Sequence, residues 1–224
     1  RIDITSPGAG DSLLGGKTTT ISWTRLNLPP GDQIYVFYSL DDGANWNQIG
    51  GGLASTATST SWTTPVFSFT GQGKILVGSW DGAAYTVVDR SDFNFDMVGC
   101  VDDGYEPNDV CFGNSIGVGT SQNHKACDSD WISFSPTVGA TYRVETSTLL
   151  NGADTVMSLH RDCGPVAAFD DDGGAGSASL IDFTSTTGSF LDVNITMFGG
   201  AYAADKGYTV SVDCIACCDG ACFL

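Results

Sequence analysis

The 224-residue chain is short of positive charge and of histidine: nine lysines and arginines stand against 26 aspartates and glutamates, and there are two histidines. The formal net charge of −17 repels phosphate backbones, which excludes nucleic acid as a partner. The acid excess is uneven. Residues 1–99 hold nine acids and five bases, a balance of −4, and residues 100–224 hold 17 acids and four bases, a balance of −13. No apolar run approaches the roughly 20 residues of a membrane span. Helical periodicity is missing, because apolar positions alternate or run continuously over short spans. No signal-peptide pattern opens the chain, so Arg1 is expected to be a processed or trimmed end. Cysteine is absent from the first 99 residues.

All eight cysteines lie in the second half: Cys100, Cys111, Cys127, Cys163, Cys214, Cys217, Cys218 and Cys222. An even set suits disulfides, which persist in oxidising compartments and so predict an exported protein. A zinc site at Cys214-x-x-Cys217-Cys218-x-x-x-Cys222 is the alternative, and neither His124 nor His160 lies near it in sequence. Disulfides are the favoured reading, with the pairing open. Cys100 and Cys111 bracket an acidic stretch and Cys127 precedes an acidic turn, so crosslinks there lower the ordering cost of any site they hold.

That stretch is Tyr105-Glu106-Pro107-Asn108-Asp109, answered by Asp128-Ser129-Asp130-Trp131. Hard cations such as Ca²⁺ take roughly six to eight oxygen ligands, and these segments are rich in carboxylates with an added amide oxygen. Pro107 is expected to keep its segment extended, facing the second acidic turn as a cation clamp. Asp170-Asp171-Asp172-Gly173-Gly174, with Asp154, forms a second candidate cation site. Its plainer reading is a strand-ending turn in which Asp caps its own backbone.

These segments, followed by Ala153-Asp154-Thr155-Val156-Met157-Ser158-Leu159 and the closing run Gly207-Tyr208-Thr209-Val210-Ser211-Val212, resemble the bacterial pre-peptidase C-terminal domain. The resemblance covers roughly residues 100–214. It implies a small non-catalytic β-sandwich whose better-known members bind calcium at the entry segment and the D-x-D turn. Carried over, it nominates Glu106, Asn108, Asp109, Asp128 and Asp130 as calcium ligands, with Asp103 beside them. Gly104 departs from relatives that carry a further acid there.

The first half reads as a separate β-domain. Lys17–Trp23, Gln33–Tyr38 and Lys74–Trp80 are rich in β-branched and aromatic residues and are punctuated by Gly, Pro and Asp. Residues 1–97 resemble the Ser/Thr-rich Ig-like modules of microbial surface proteins. The fold class is therefore all-β, with two tandem β-sandwiches: an Ig-like one over 1–98, a calcium-binding one over 99–214, and a Cys-rich tail over 215–224. Ser39-Leu40-Asp41-Asp42-Gly43-Ala44-Asn45-Trp46 resembles a single Asp-box and is read as a structural turn.

No catalytic constellation can be assembled. His124 lies in a polar string expected to be solvated, His160 is expected at a strand end, and neither G-x-S-x-G nor H-E-x-x-H occurs. Non-catalytic roles remain. The favoured one is a self-assembling extracellular structural subunit (filament or surface layer), whose start, Arg1–Thr5, pairs with a sheet edge of another copy, or whose apolar end, Phe223-Leu224, buries on a neighbour. The other is an accessory module binding polysaccharide or fibrous protein, with Trp46, Trp62 and Trp80 as an aromatic platform unless they are core residues.

Overall fold

A computed structural model of the chain describes residues 1–66 and 71–216. The chain divides into two compact units, Arg1–Cys100 and a second that starts at Val101. Every element but one short 3₁₀ turn at Phe198–Gly200 is a strand, so no helix among the described residues could cross a membrane.

The first unit contains β1 (Ile2–Ser6), β2 (Ser12–Leu14), β3 (Thr18–Arg25), β4 (Gln33–Ser39), β5 (Asn47–Ala54), β6 (Ser59–Thr63), β7 (Gly71–Trp80), β8 (Tyr85–Arg90) and β9 (Phe95–Val98). One sheet has the order β1-β3-β6; the other runs β2-β9-β7-β4-β5, with β8 also pairing β7. Side chains alternate across a strand. Ile21 and Trp23 of β3 therefore face Ile34 and Val36 of β4 and Ile75 and Val77 of β7 in one core. Trp62 joins that core at 6% exposure. Trp46 and Trp80 do not, because each is only partly buried. The expected three-tryptophan platform thus loses Trp62.

The start of the chain folds back on its own unit. Ile2–Ser6 pairs antiparallel with β3, and the terminal ammonium of Arg1 donates to the Leu26 carbonyl at 2.8 Å. One side of the strand expected to cross to another copy therefore has an internal ladder partner, and β1 forms the edge of its sheet. The apolar end, Phe223-Leu224, lies outside the described residues.

The second unit contains β10 (Asn114–Ser115), β11 (Thr120–Lys125), β12 (Asp130–Phe134), β13 (Thr141–Leu150), β14 (Thr155–Arg161), β15 (Val166–Asp170), β16 (Leu180–Thr184), β17 (Leu191–Met197) and β18 (Gly207–Ala216). A five-stranded sheet, β10-β12-β17-β14-β15, lies over a four-stranded sheet, β11-β18-β13-β16. The period-2 pattern again selects the core: Met157 and Leu159 from β14, Val193 and Ile195 from β17, and Val210 and Val212 from β18. The architecture is all-β, two sandwiches in tandem.

Candidate metal centre

The entry segment is a run of turns and bends with a cis Glu106–Pro107 peptide, not the extended strand expected from Pro107. It is anchored by its own polar groups. Asp103 accepts from the Tyr105 amide at 2.9 Å and from the Lys125 amide at 2.7 Å, which ties the loop to the end of β11. The Asn108 amide donates to Glu106 Oε2 at 2.9 Å, and the Asn108 carbonyl accepts from the Trp131 amide at 2.8 Å. This last bond sets the EPND segment beside the start of β12.

Beneath the loop lies a buried polar knot. Asn108 is fully buried, Asp130 is 1% exposed and His124 is 3% exposed. Asp130 Oδ1 accepts from Asn108 Nδ2 at 2.8 Å, and Asp130 Oδ2 accepts a short hydrogen bond from the Tyr208 hydroxyl. The Tyr208 hydroxyl is pushed well above its ordinary value, by burial first and by the adjacent Asp130 charge second. His124 stacks between Tyr105 and Tyr208, with ring centroids 5.0 and 5.5 Å away. Its Nδ1 faces Asp130 Oδ1 at 3.3 Å and Asp103 Oδ2 at 3.7 Å, and its Nε2 lies 3.2 Å from Gln122 Oε1. His124 is therefore not in a solvated loop. It occupies an inward position of β11, where Gln122 and His124 face in while Asn123 and Lys125 face out.

Above the knot, carboxylate oxygens of Asp102, Glu106 and Asp128 lie within 4.8 Å of one another. Like charges this close favour the protonated forms. Asp128 is pushed up to about 7, by burial first and then by the charges of Asp102, Asp109, Glu106 and Asp130. Asp102 is also raised, by burial and then by Asp109 and Asp103. Burial raises Glu106, against the opposing hydrogen bond from the Asn108 amide. Two buried oxygens here, Asn108 Oδ1 and Asp128 Oδ1, have no hydrogen-bond partner. Such groups are costly unless something supplies the missing interaction.

Of the nominated ligands, Glu106 and Asp128 converge, Asn108 lies between cluster and knot, and Asp109 acts on all three clustered carboxyls through its charge. Asp103 and Asp130 form a separate group with His124, with ligand atoms within 4.8 Å of one another, and accept from the Lys125 amide and Asn108 Nδ2 respectively. Asp102, which completes the cluster, was not among the nominated residues. Its only sequence signal is its place next to Asp103.

A second acidic group gathers Asp154, Asp171 and Asp172, again within 4.8 Å. Asp171 is raised by burial and then by Asp172 and Asp154. Asp170 serves the turn instead: its Oδ2 accepts from the Gly173 and Leu180 amides, each at 2.8 Å. Both the cation and the turn readings of this segment therefore have residues assigned to them.

The five described cysteines act as crosslinks. Cys111 is bonded to Cys163, 52 residues away, and Asp192 Oδ2 fixes the far end by accepting from the Cys163 amide at 2.9 Å. Cys100, Cys127 and Cys214 are also disulfide-bonded. Bonding of Cys214 removes one thiolate from the zinc reading, whose other members, Cys217, Cys218 and Cys222, lie outside the described residues. His160 sits at the far end of β14, with Nδ1 donating to the Gly164 carbonyl at 2.7 Å and Nε2 accepting from Ser158 at 3.0 Å. No carboxylate bonds that imidazole among the described residues.

No protein-family profile and no curated protein matches the chain. Among solved structures it is similar to the pre-peptidase C-terminal domain of a collagenase from Bacillus anthracis, at 19% identity and a TM-score of 0.36 over 44% of this chain and 92% of that one. It is similar over 93% of its length to chicken CNTN1 FN1-FN3 domains, at 9% identity and a TM-score of 0.29 over 66% of that chain. A third likeness, to the chicken interferon gamma receptor alpha chain, has 8% identity and a TM-score of 0.29 over 94% of this chain and 98% of that one.

Proposed function

We propose that the chain is a non-catalytic, exported binding module whose second sandwich holds one structural calcium ion at Asp102, Glu106 and Asp128, with Asn108 and Asp109 contributing. The observation that carries this reading is the convergence of three carboxylates around a buried, partnerless Asp128 Oδ1. The donors are all hard oxygens, which suits calcium and disfavours zinc or copper. Calcium would neutralise the clustered carboxylates and fix the EPND loop against β12. Asp103, Asp130 and Tyr208 then act as the frame: their hydrogen bonds hold Asn108 and the loop ends in place without touching the ion. The Asp154, Asp171 and Asp172 group is a weaker second site of the same chemistry.

Disulfide bonding at five described cysteines supports export. Between the two non-catalytic roles, the binding module is favoured over the self-assembling subunit. The starting strand is paired within its own sheet, and aromatic side chains remain on a sheet surface. Calorimetric titration of calcium into chelator-stripped protein tests the reading. One dominant site is expected, weakened at least tenfold by Glu106→Gln; absence of binding at millimolar calcium overturns it.

A further inference from the structure

The outer face of the first unit's larger sheet carries aromatic rings that the core does not use. In register across four strands stand Gln48 of β5, Phe37 of β4, Leu76 of β7 and Arg90 of β8. At about 4.8 Å per strand this row is roughly 14 Å wide. Glycine flattens the neighbouring row. A Cβ on Gly78 would come within 2.7 Å of the Tyr85 ring, and one on Gly51 within 2.3 Å of the Tyr35 ring, so both rings lie down on the sheet. Tyr85 meets Tyr35, Phe37 and Trp80 edge to face, with centroids 6.1, 6.2 and 4.9 Å away. The result is an open groove of about 290 Å³ lined by Phe37, Trp46, Leu76, Tyr85, Val88 and Arg90. Tyr85 and Val88 are 41% and 47% exposed.

Charge decides what this groove takes. Arg90 holds its guanidinium 5.7 Å from the Trp46 ring centroid and makes no ion pair among the described residues. Neighbouring charges are already engaged: Lys74 pairs with Asp42 at 3.2 Å, and Asp89 accepts from the Ile4 amide at 2.8 Å. The rim adds the neutral amides of Gln48 and Gln33, the latter accepting from the Tyr35 hydroxyl at 3.3 Å. A complementary ligand presents a flat C–H face to the rings and a carboxylate to Arg90. A uronic-acid sugar has both on each residue, since the electron-rich ring face attracts polarised C–H groups and a guanidinium pairs with carboxylate bidentately.

We propose that this groove binds an acidic, uronate-bearing polysaccharide. Little of the chain's acidity belongs to this part of the sequence: residues 1–99 carry a balance of −4, against −13 for residues 100–224. The inference deepens the binding-module role and needs nothing from calcium, so its test is run in chelator.

The test is affinity electrophoresis of the full chain through gels containing polygalacturonate or the same polymer with its carboxyls reduced. Retardation by polygalacturonate is expected, at least tenfold weaker in apparent Kd for Arg90→Gln and for Trp46→Ala, and weak for the reduced polymer. Unchanged melting of Arg90→Gln shows that the loss is in binding rather than folding. Three outcomes overturn the proposal: no retardation, retardation equal in both polymers, or retardation indifferent to Arg90→Gln. Sedimentation showing a dimer lost in Tyr85→Ala, without retardation, assigns the face to a second copy instead.

Discussion

Replacing Asp128 by asparagine should stabilise the protein in chelator and destabilise it, relative to wild type, in calcium. The sign follows from the acid cluster. Asp128 rises from 3.8 to about 7 on folding, chiefly through burial. Between those values the folded state binds more protons than the unfolded one, so stability falls as pH rises from about 4 to about 7. At about 1.36 kcal/mol per pKa unit, the full shift corresponds to about 4 kcal/mol at pH 7. Asp128 keeps part of its solvent contact, and screening reduces this to about 2 kcal/mol. For a unit of this size that is a rise in Tm of about 8 °C for Asp128→Asn in chelator. Calcium reverses the order: binding at a hundredfold excess over Kd adds about 2.7 kcal/mol to wild type, and the variant has lost a ligand. Calorimetric melting of both proteins at pH 7, in chelator and in millimolar calcium, reads the crossing directly. The same rank order in both buffers would refute the reasoning.

Asp130→Ala behaves differently, because Asp130 belongs to the frame: losing its bonds to Tyr208 and Asn108 should cost about 3 kcal/mol in chelator and calcium alike, measured by urea melts. A calcium-dependent loss alone would instead make it a ligand. Cys111→Ser opens a closed loop spanning 52 residues, for which the chain-entropy view gives a loss of about 4 kcal/mol, checked by denaturant titration against Cys163→Ser. In the first unit, bonds from Ser39 and Asn45 lower Asp41 from 3.8 to about 2. Its contribution is complete above about pH 4 and is lost as pH falls through 2, so Asp41→Ala should flatten the acid limb of the stability profile there. An unchanged acid limb counts against the turn as drawn.

How much was readable in advance differs from residue to residue. The strands were legible because Met157 and Leu159, or Val193 and Ile195, repeat every second residue where one face is buried. The Asp-box was legible as a turn because its residue types map onto its bonds: Ser39 accepts from the Gly43 amide at 2.8 Å, and Gly43 has φ of 88°. His124 was not legible. In Gln122-Asn123-His124-Lys125 every residue is polar, so alternation carries no hydropathy signal, and burial is made tolerable by tertiary partners: Asp130 and Gln122 at the ring nitrogens and the stacked Tyr105 and Tyr208. Nor could sequence decide between Asp102 and Asp103. Adjacent acids are equivalent until the Tyr105 and Lys125 amides claim one of them, and the Lys125 contact is set by the tertiary fold. The tryptophans were divided the same way: Trp62 takes an inward strand position, whereas Trp46 and Trp80 remain only partly buried.

The central claim is that Asp102, Glu106 and Asp128 hold a calcium ion. It is tested most directly by a crystal structure grown in millimolar calcium, with anomalous scattering recorded. A peak about 2.3–2.6 Å from oxygens of Glu106 and Asp128 is expected. A cluster holding only water, with its carboxylates turned apart, would contradict it.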